Sequence, residues 1–376
     1  MKKAGILSMQ RIYNYGSFLQ AYGLKKMLEE LGCEVEFVDY HPGKCLVDSK
    51  QKNGLMRKLS KSVEVLTIQA PLKEKLNFIK YKKNFGVKYH SCLEIDSQYN
   101  YNPELDILVI GSDEVFNCVQ DNPNVGYTAE LFGVGNQAGT VISYAASFGN
   151  TTMERLKQYG VEKEVAEWLK SFNTISVRDN NSYDIVKELT GKDPELHLDP
   201  VLMYDYMKKC PAVSKQADDS DYLILYGYTG RFSKEECRKI REYAIEKKLK
   251  ILCIGGIQHC CDKFVDCSPF EVFSYFKNAY AVITDTFHGT IISIITQQRF
   301  ATFVRSSGYG NAEKVSDLLK RLNLEEQIVF NVEELGKIVE KKIDYLSVNH
   351  IIENERKRAY QYLNNMLKRG KEITDE

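Results

Sequence analysis

The chain has 376 residues, of which 43% are hydrophobic and 27% charged, so it is long enough for two domains with their own cores. Its 51 basic and 51 acidic side chains cancel, which argues against a nucleic-acid binder because such proteins carry a basic excess. No apolar run reaches the ~18 residues of a membrane span, and Gln10 and Arg11 interrupt the apolar N-terminal stretch, unlike a signal peptide. We therefore expect a cytoplasmic protein with at most peripheral contact to the inner face of the membrane.

Strands and helices alternate through the first half of the chain. Residues 4–8 read as a short strand, residues 18–31 carry apolar side chains at helical spacing, and residues 34–40 alternate like a second strand. This order predicts a parallel sheet with a right-handed crossover. Further strands are predicted at residues 106–110, 141–145 and 174–177, and helices at residues 153–172 and 182–189. A Rossmann-like domain is therefore expected over residues 1–207.

Residues 44–90 interrupt this pattern with twelve basic side chains against three acidic ones. Apolar residues recur there at roughly helical intervals, so a pair of solvated amphipathic helices inserted in the first domain is one interpretation. The other is a basic surface for a diphosphate headgroup or an anionic membrane. The composition leaves both open.

A second alternation follows a polar, non-periodic linker at residues 208–220. Strands are predicted at residues 222–226, 250–254, 280–284 and 300–304, and helices at residues 233–246, 269–276, 288–296 and 315–322. We expect a second Rossmann-like domain over residues 221–345, and a helix within residues 346–376 that packs back across both domains. The predicted fold class is α/β, with two parallel sheets facing across a cleft.

The ten cysteines are expected to be thiols in a cytoplasmic protein. Cys253, Cys260, Cys261 and Cys267 lie close together in the sequence beside His259, which makes a zinc site conceivable. Paired Cys-x-x-Cys motifs are missing from this cluster, although structural zinc sites commonly use them. We therefore expect no metal site.

One histidine stands where a predicted strand passes into a helix. His288 follows the strand at residues 280–284 and is flanked by Asp285, Thr286 and Gly289. Ligands collect at such corners because strand carboxyl ends meet helix N-termini, which have free N–H groups. An imidazole exchanges protons near neutral pH, so His288 is a candidate general acid, with a structural histidine as the alternative.

A second corner lies near the amino terminus, at Asn14-Tyr15-Gly16-Ser17. Gly16 allows another group to approach the backbone closely, and the start of the following helix favours an anion or a sugar hydroxyl. A capped helix start without ligand would look the same. Corners of this kind in both halves of the chain suggest a cleft between two domains.

Two further polar sites follow predicted strands. Ser112 and Asp113 come after a wholly apolar strand, and Asp113 has the chemistry to accept a proton from a hydroxyl. Arg178 ends the strand at residues 174–177, where a guanidinium can bind a carboxylate or phosphate through two hydrogen bonds. Helix capping by Ser112 or Asp113, and a surface ion pair for Arg178, remain the alternatives.

Taken in order, these motifs resemble the bacterial polysaccharide pyruvyl transferase family over roughly residues 4–325. The resemblance rests on Asn14-Tyr15-Gly16-Ser17, Gly111-Ser112-Asp113-Glu114, Ser176-Val177-Arg178-Asp179, Leu198-Asp199-Pro200 and Thr286-Phe287-His288-Gly289. It implies a GT-B-like fold with two Rossmann-like domains. It also implies transfer of the pyruvyl group of phosphoenolpyruvate to two hydroxyls of a sugar, which forms a cyclic ketal and releases phosphate without a metal or redox cofactor.

The resemblance also implies roles for the candidate residues. His288, Arg178 and Asp113 are expected to be catalytic, as proton donor, anion clamp and proton acceptor. Some relatives carry a basic residue two positions before the motif histidine, where this chain has Thr286. The expected donor-binding set is therefore Arg178, Thr286, His288, Gly289, Arg305 and Lys314. The expected acceptor-binding set is Asn14, Tyr15, Gly16, Ser112 and Asp113.

Two other functions stay open from the sequence. A GT-B glycosyltransferase would use a nucleotide sugar and need a base-binding pocket in the second domain. A non-catalytic relative would bind a glycan or sugar phosphate without needing His288. The carrier of the acceptor sugar, a lipid diphosphate or a nucleotide, is also open, and the basic residues 44–90 favour a lipid-linked or polymeric acceptor from a cell-surface glycan.

Overall fold

The first half of the chain forms a parallel sheet. The computed structural model describes residues 1–47, 65–210, 221–305 and 312–369. The strands of this sheet are β1 Lys2–Leu7, β2 Cys33–Val38, β3 Ile107–Asp113, β4 Thr140–Ala146, β5 Ser176–Val177 and β6 Glu195–Leu196. They lie in the order β2-β1-β3-β4-β5-β6, and each adjacent pair is parallel.

Helices connect these strands. They are α1 Tyr15–Glu30, α2 Leu72–Tyr89, α3 Met153–Tyr159, α4 Glu162–Lys170, α5 Asn180–Thr190, α6 Pro200–Met203 and α7 Tyr206–Lys209. Helix α1 packs on its own sheet and also reaches the second half, where the rings of Phe18 and Tyr22 lie 5.6 and 4.8 Å from the Phe270 ring. A helix that is covered on both sides needs no wide polar face, and most of α1 is buried.

The prediction of a single helix over residues 153–172 is wrong. Gly160 ends α3 with φ +69°, and its N–H donates to backbone carbonyls of the preceding turn. Glycine adopts this left-handed conformation without the steric penalty of a Cβ atom, so it commonly ends helices. A new helix, α4, then begins at Glu162.

The second half repeats the alternation. Its elements are β7 Tyr222–Tyr226, α8 Lys234–Glu246, β8 Lys250–Ile254, β9 Lys263–Phe264, α9 Glu271–Asn278, β10 Ala281–Thr284, α10 Phe287–Ile295, β11 Phe300–Phe303, α11 Ala312–Arg321, β12 Ile328–Val329 and α12 Leu335–Glu340. The parallel strand order is β12-β11-β10-β7-β8-β9. The thiols of the cysteine cluster are buried in its core: Cys253, Cys260, Cys261 and Cys267.

The C-terminal helix α13, Tyr345–Arg369, contacts both halves. The Tyr345 hydroxyl donates to the Gln298 carbonyl of the second half. The Tyr362 hydroxyl donates to the Ser143 carbonyl of the first sheet at 2.9 Å. The helix therefore ties the two halves together on one side.

Two parallel sheets joined in this way form an α/β, GT-B-like fold, and the predicted fold class is confirmed. Parts of two predicted regions, residues 48–64 of the basic stretch and residues 211–220 of the linker, lie outside the described residues. Across the described ranges, the helices are too short or too polar to cross a bilayer.

Candidate functional site

Arg178, Asp199 and His288 meet between the two sheets. Arg178 donates to Asp199 Oδ2 at 2.6 Å, and His288 Nε2 lies 3.6 Å from the same oxygen. The Arg178 and Asp199 side chains are 2% and 0% exposed, whereas that of His288 is 14% exposed. The structure thus brings together a guanidinium from the first half and an imidazole from the second, on a carboxylate of the chain itself.

Strand-to-helix junctions position these three side chains. Arg178 directly follows β5. Asp199 caps α6, where its Oδ1 accepts a backbone N–H at 3.0 Å and Pro200 takes the first helical position. His288 lies in the first turn of α10, which Thr286 caps. Aspartate and threonine favour helix starts, so the same residues satisfy the local backbone and form the site.

Burial and charge oppose each other in this cluster. Burial raises the pKa of Asp199, but the nearby His288 ring and the charge of Arg178 lower it more, so the pKa lies well below its usual value. Burial lowers the pKa of Arg178, but Asp199 and Asp113 outweigh it and raise the pKa. The guanidinium also lies 4.7 Å from the centroid of the Phe287 ring. Asp199 and Arg178 therefore both stay charged at neutral pH.

Asp113 and Ser112 extend the cluster from the end of β3. Asp113 Oδ1 accepts from Arg178 at 3.3 Å, and its Oδ2 accepts from the Ser17 hydroxyl at 2.8 Å. The Ser112 hydroxyl lies 3.3 Å from Asp199 Oδ2. Asp113 has φ +72°, which is unfavourable for a residue with a Cβ atom and is found preferentially at functional sites.

The start of α1 forms a wall of the site. Asn14 caps the helix, because its Oδ1 accepts the Ser17 N–H at 2.8 Å. The backbone of Gly16 lies against the imidazole, and a Cβ atom at this position would be 2.2 Å from His288 Nδ1. The close approach that the glycine allows is therefore made by His288 of the other half.

A pocket with an empty volume of about 340 Å³ adjoins the cluster. Of the predicted site residues, it is lined by Asn14, Tyr15, Gly16, Thr286 and His288. The Tyr15 hydroxyl donates to the Cys267 carbonyl at 2.8 Å, and the side chain is buried among other aromatic rings. Tyr15 therefore packs the two halves together and also lines the pocket.

Thr286 and Gly289 shape the start of α10. The Thr286 Oγ1 accepts the Gly289 N–H at 2.9 Å. A Cβ atom on Gly289 would lie 2.2 Å from Thr284 Oγ1, so glycine is required for this packing. The Gly289 N–H is already bonded in this arrangement, and donor binding by either residue stays a prediction.

The predicted cations Arg305 and Lys314 are paired with carboxylates. Arg305 donates to Glu236 at 2.6 and 3.1 Å and to Asp285 at 3.3 Å. Lys314 of α11 contacts Glu114, which follows Asp113, so this ion pair joins the two halves beside the cluster. Donor binding by Arg305 and Lys314 stays a prediction. It requires the donor's anionic groups to replace these carboxylates as partners of the two cations.

The sequence profile described as Polysaccharide pyruvyl transferase matches residues 14–307, a range that contains all of these junctions. The chain belongs to this family. Among curated proteins, no match was found.

Several solved structures are similar to this polysaccharide pyruvyl transferase in overall shape. The UDP-GlcNAc 2-epimerase from Methanocaldococcus jannaschii is 11% identical with a TM-score of 0.48, over 92% of this chain and 93% of that one. The UDP-GlcNAc 2-epimerase from Neisseria meningitidis bound to UDP-GlcNAc is 8% identical with a TM-score of 0.48, over 98% and 100%. Acinetobacter baumannii MurG is 10% identical with a TM-score of 0.42, over 98% and 100%. At these values, no functional conclusion follows from the likeness.

Sequence reasoning assigned no role to Asp199 or Glu114 of this transferase. Asp199 stands in the Leu198-Asp199-Pro200 motif, but an aspartate before a proline is also the ordinary signal of a capped helix start. Glu114 became relevant only because α11, two hundred residues later, brings Lys314 to it. Neither contact has a local signature.

The site of this family member contains side chains whose chemistry suits anion binding and proton transfer. It combines the buried Arg178 guanidinium, the His288 imidazole and the Asp113 carboxylate, whose side chain is 15% exposed. Of these three, His288 lines the pocket. Within the described ranges, no group of three or more potential ligand side chains is arranged to hold a metal ion.

Proposed function

We propose that this polysaccharide pyruvyl transferase moves the pyruvyl group of phosphoenolpyruvate onto two hydroxyls of a sugar. The sugar belongs to a cell-surface glycan or its precursor, carried on a lipid diphosphate or a nucleotide. The meeting of Arg178 and His288 at Asp199 Oδ2 is the observation that supports the proposal best. An enol phosphate needs a fixed cation for its charge and a nearby acid for its carbon.

The proposed reaction consumes one proton and releases two. Protonation of the methylene carbon of phosphoenolpyruvate gives a methyl group and a cationic carbon next to oxygen. The first sugar hydroxyl adds to that carbon and loses its proton. The bond from that carbon to the phosphate oxygen then breaks, and the second hydroxyl adds and loses its proton. One hydroxyl proton replaces the one delivered to the methyl group, and the other leaves with phosphate.

Each residue of the cluster has a place in this sequence. His288 delivers the proton to the methylene carbon, and the Asp199 carboxylate facing Nε2 stabilises positive charge on the ring. Arg178 binds the donor carboxylate or phosphate. Asp113 accepts a hydroxyl proton, because the negative donor beside it favours proton uptake by a carboxylate. The Ser17 hydroxyl holds Asp113 in position.

The product decides the proposal. The purified protein is incubated with phosphoenolpyruvate and a candidate oligosaccharide, and phosphate release is followed together with product mass. We expect a mass gain of one pyruvate less one water. His288→Gln should lower the rate about 10²–10⁴-fold because it removes the proton donor. The matched control is His350→Gln, an exposed histidine on α13, which should leave the rate unchanged. Full activity of His288→Gln would contradict the assignment.

Thermal stabilisation by bound ligand distinguishes phosphoenolpyruvate from the nucleotide sugar that a glycosyltransferase would use as donor. A ligand at 100 times its Kd stabilises the folded state by about 2.7 kcal/mol. Phosphoenolpyruvate should therefore raise the melting temperature, and the Arg178→Gln variant should lose this effect. A rise with nucleotide sugars and none with phosphoenolpyruvate would favour the glycosyltransferase instead.

A further inference from the structure

The outer face of α2 exposes large apolar side chains. Leu72, Leu76, Ile79 and Val87 are between 46% and 89% exposed. At 3.6 residues per turn they lie within an arc of about 80° around the helix. Leu66, also exposed, is tied to α2 because Lys75 donates to its carbonyl at 2.8 Å. Adjoining exposed apolar side chains, unlike ones scattered singly, are typical of interaction sites.

The same face is basic. Helix α2 has six lysines and one acidic residue, Glu74. Glu74 is buried, and its carboxylate accepts the Phe264 N–H at 2.9 Å. Lys73, Lys80 and Lys83 are exposed. At 3.6 residues per turn, Lys83 lies within the arc of the apolar side chains, and Lys80 and Lys73 lie about 20° and 40° beyond one edge of it. The α2 outer face, Leu72, Leu76, Ile79 and Val87 with Lys73, Lys80 and Lys83, therefore combines apolar area with positive charge.

We propose that the α2 outer face docks on an anionic phospholipid bilayer. Its apolar side chains would enter the boundary between headgroups and acyl chains, and its lysines would contact phosphates. A second copy of this chain fits less well, because a two-fold contact of the face with itself sets lysines against lysines. A neutral apolar partner would leave the same charges uncompensated.

Docking at this face brings the pocket close to the membrane. The opposite face of α2 packs Tyr81 and Phe85 against Tyr15, with ring centroids 5.7 and 5.6 Å apart, and Tyr81 also lines the pocket. The pocket and the bilayer are then separated by about one helix diameter, ~10 Å. This step rests on the proposed function: the acceptor sugar would reach the pocket from a lipid carrier embedded in that bilayer.

Vesicle flotation of the full chain tests the docking. Phosphatidylcholine vesicles are compared with vesicles that also contain phosphatidylglycerol, in the absence of phosphoenolpyruvate and sugar. We expect binding only to the anionic vesicles, weakening as salt shortens the range of the charges. Lys80→Gln and Lys83→Gln should each weaken binding about fivefold. The double variant Leu76→Ser/Ile79→Ser should weaken it at least about tenfold.

Matched controls are Ile245→Ser on α8 and Leu346→Ser on α13, exposed by 67% and 84%, which should bind like the parent chain. The proposal is overturned if neither kind of vesicle binds, if neutral vesicles bind equally, or if the controls weaken binding as much as the α2 variants. A lipid-free dimer that Leu76→Ser/Ile79→Ser dissociates would assign the face to a second copy. Pyruvyl transfer to a soluble acceptor without lipid is scored separately, so either idea can fail alone.

Discussion

Replacing Gly16 by alanine tests whether the two halves meet as the structure has them. The added Cβ atom would lie 2.2 Å from His288 Nδ1, 2.6 Å from its Cγ and 2.8 Å from its Cε1. Carbon atoms in contact are ~3.5 Å apart, so the imidazole has to move by roughly 1.3 Å. Overpacking of this kind destabilises proteins by about 1–3 kcal/mol. Alanine otherwise favours the helix by up to about 1 kcal/mol over glycine.

The effect should depend on the imidazole. In a His288→Ala background the new Cβ atom has room, so Gly16→Ala should be neutral or slightly stabilising. Urea denaturation of the parent chain, both single variants and the double variant then yields a coupling energy of about 1–3 kcal/mol. In the presence of the imidazole, a shift of about 1 Å should also lower kcat/KM roughly 10²-fold. A coupling energy near zero would refute the contact.

Three further variants probe the charges. Asp199→Asn keeps the volume but leaves buried Arg178 with one carboxylate fewer, so urea denaturation should show a loss of about 3 kcal/mol; an unchanged midpoint would contradict the ion pair. In Arg178→Lys, a single ammonium cannot contact both Asp199 and Asp113 as the guanidinium does. Phosphate release should therefore fall about 10²-fold, while phosphoenolpyruvate still binds weakly. Parent-like kinetics would show that the two-sided contact of the guanidinium is not needed. Burial raises the pKa of Glu114, but Lys314 lowers it more, to about 2. Because this pKa lies below its usual value, the stabilisation is complete above about pH 4.5 and is lost toward pH 2. Glu114 is partly exposed, so the difference in unfolding free energy between the parent and Glu114→Gln should be only about 1 kcal/mol at pH 7. This difference should shrink on acidification. A difference that stays constant with pH would count against the ion pair.

The sequence predicted the regular elements well where apolar residues follow one another closely. The strands at residues 222–226 and 250–254 appear with those bounds. The helix predicted at residues 233–246 also forms. Its start is marked by a capping box of Ser233 and Glu236, a signal contained in four consecutive residues. The error at residues 153–172 came from reading through Gly160, where the apolar spacing resumes after the turn and so imitates one helix.

The sequence showed which polar residues follow the strands, but it did not show which partners they contact. The motif around Arg178 and the motif around His288 both stood out in the sequence, and the family profile covers both. Asp199, which joins them, looked like an ordinary helix cap, and it is one. Arg305 was predicted to bind the donor, and the structure pairs it with Glu236, a contact that the sequence did not indicate.

The sequence by itself determined the alternation of parallel strands and helices, and the presence of polar residues where strands end. These depend on hydrophobic period and helix capping, which act between residues a few positions apart. Only the tertiary structure decided which of the polar residues at strand ends contact one another. Ser17 and Asp113 are 96 positions apart, and their contact depends on the strand order that places β1 beside β3. The contact of His288 with Gly16 depends on how the two sheets face each other, and no local propensity encodes that.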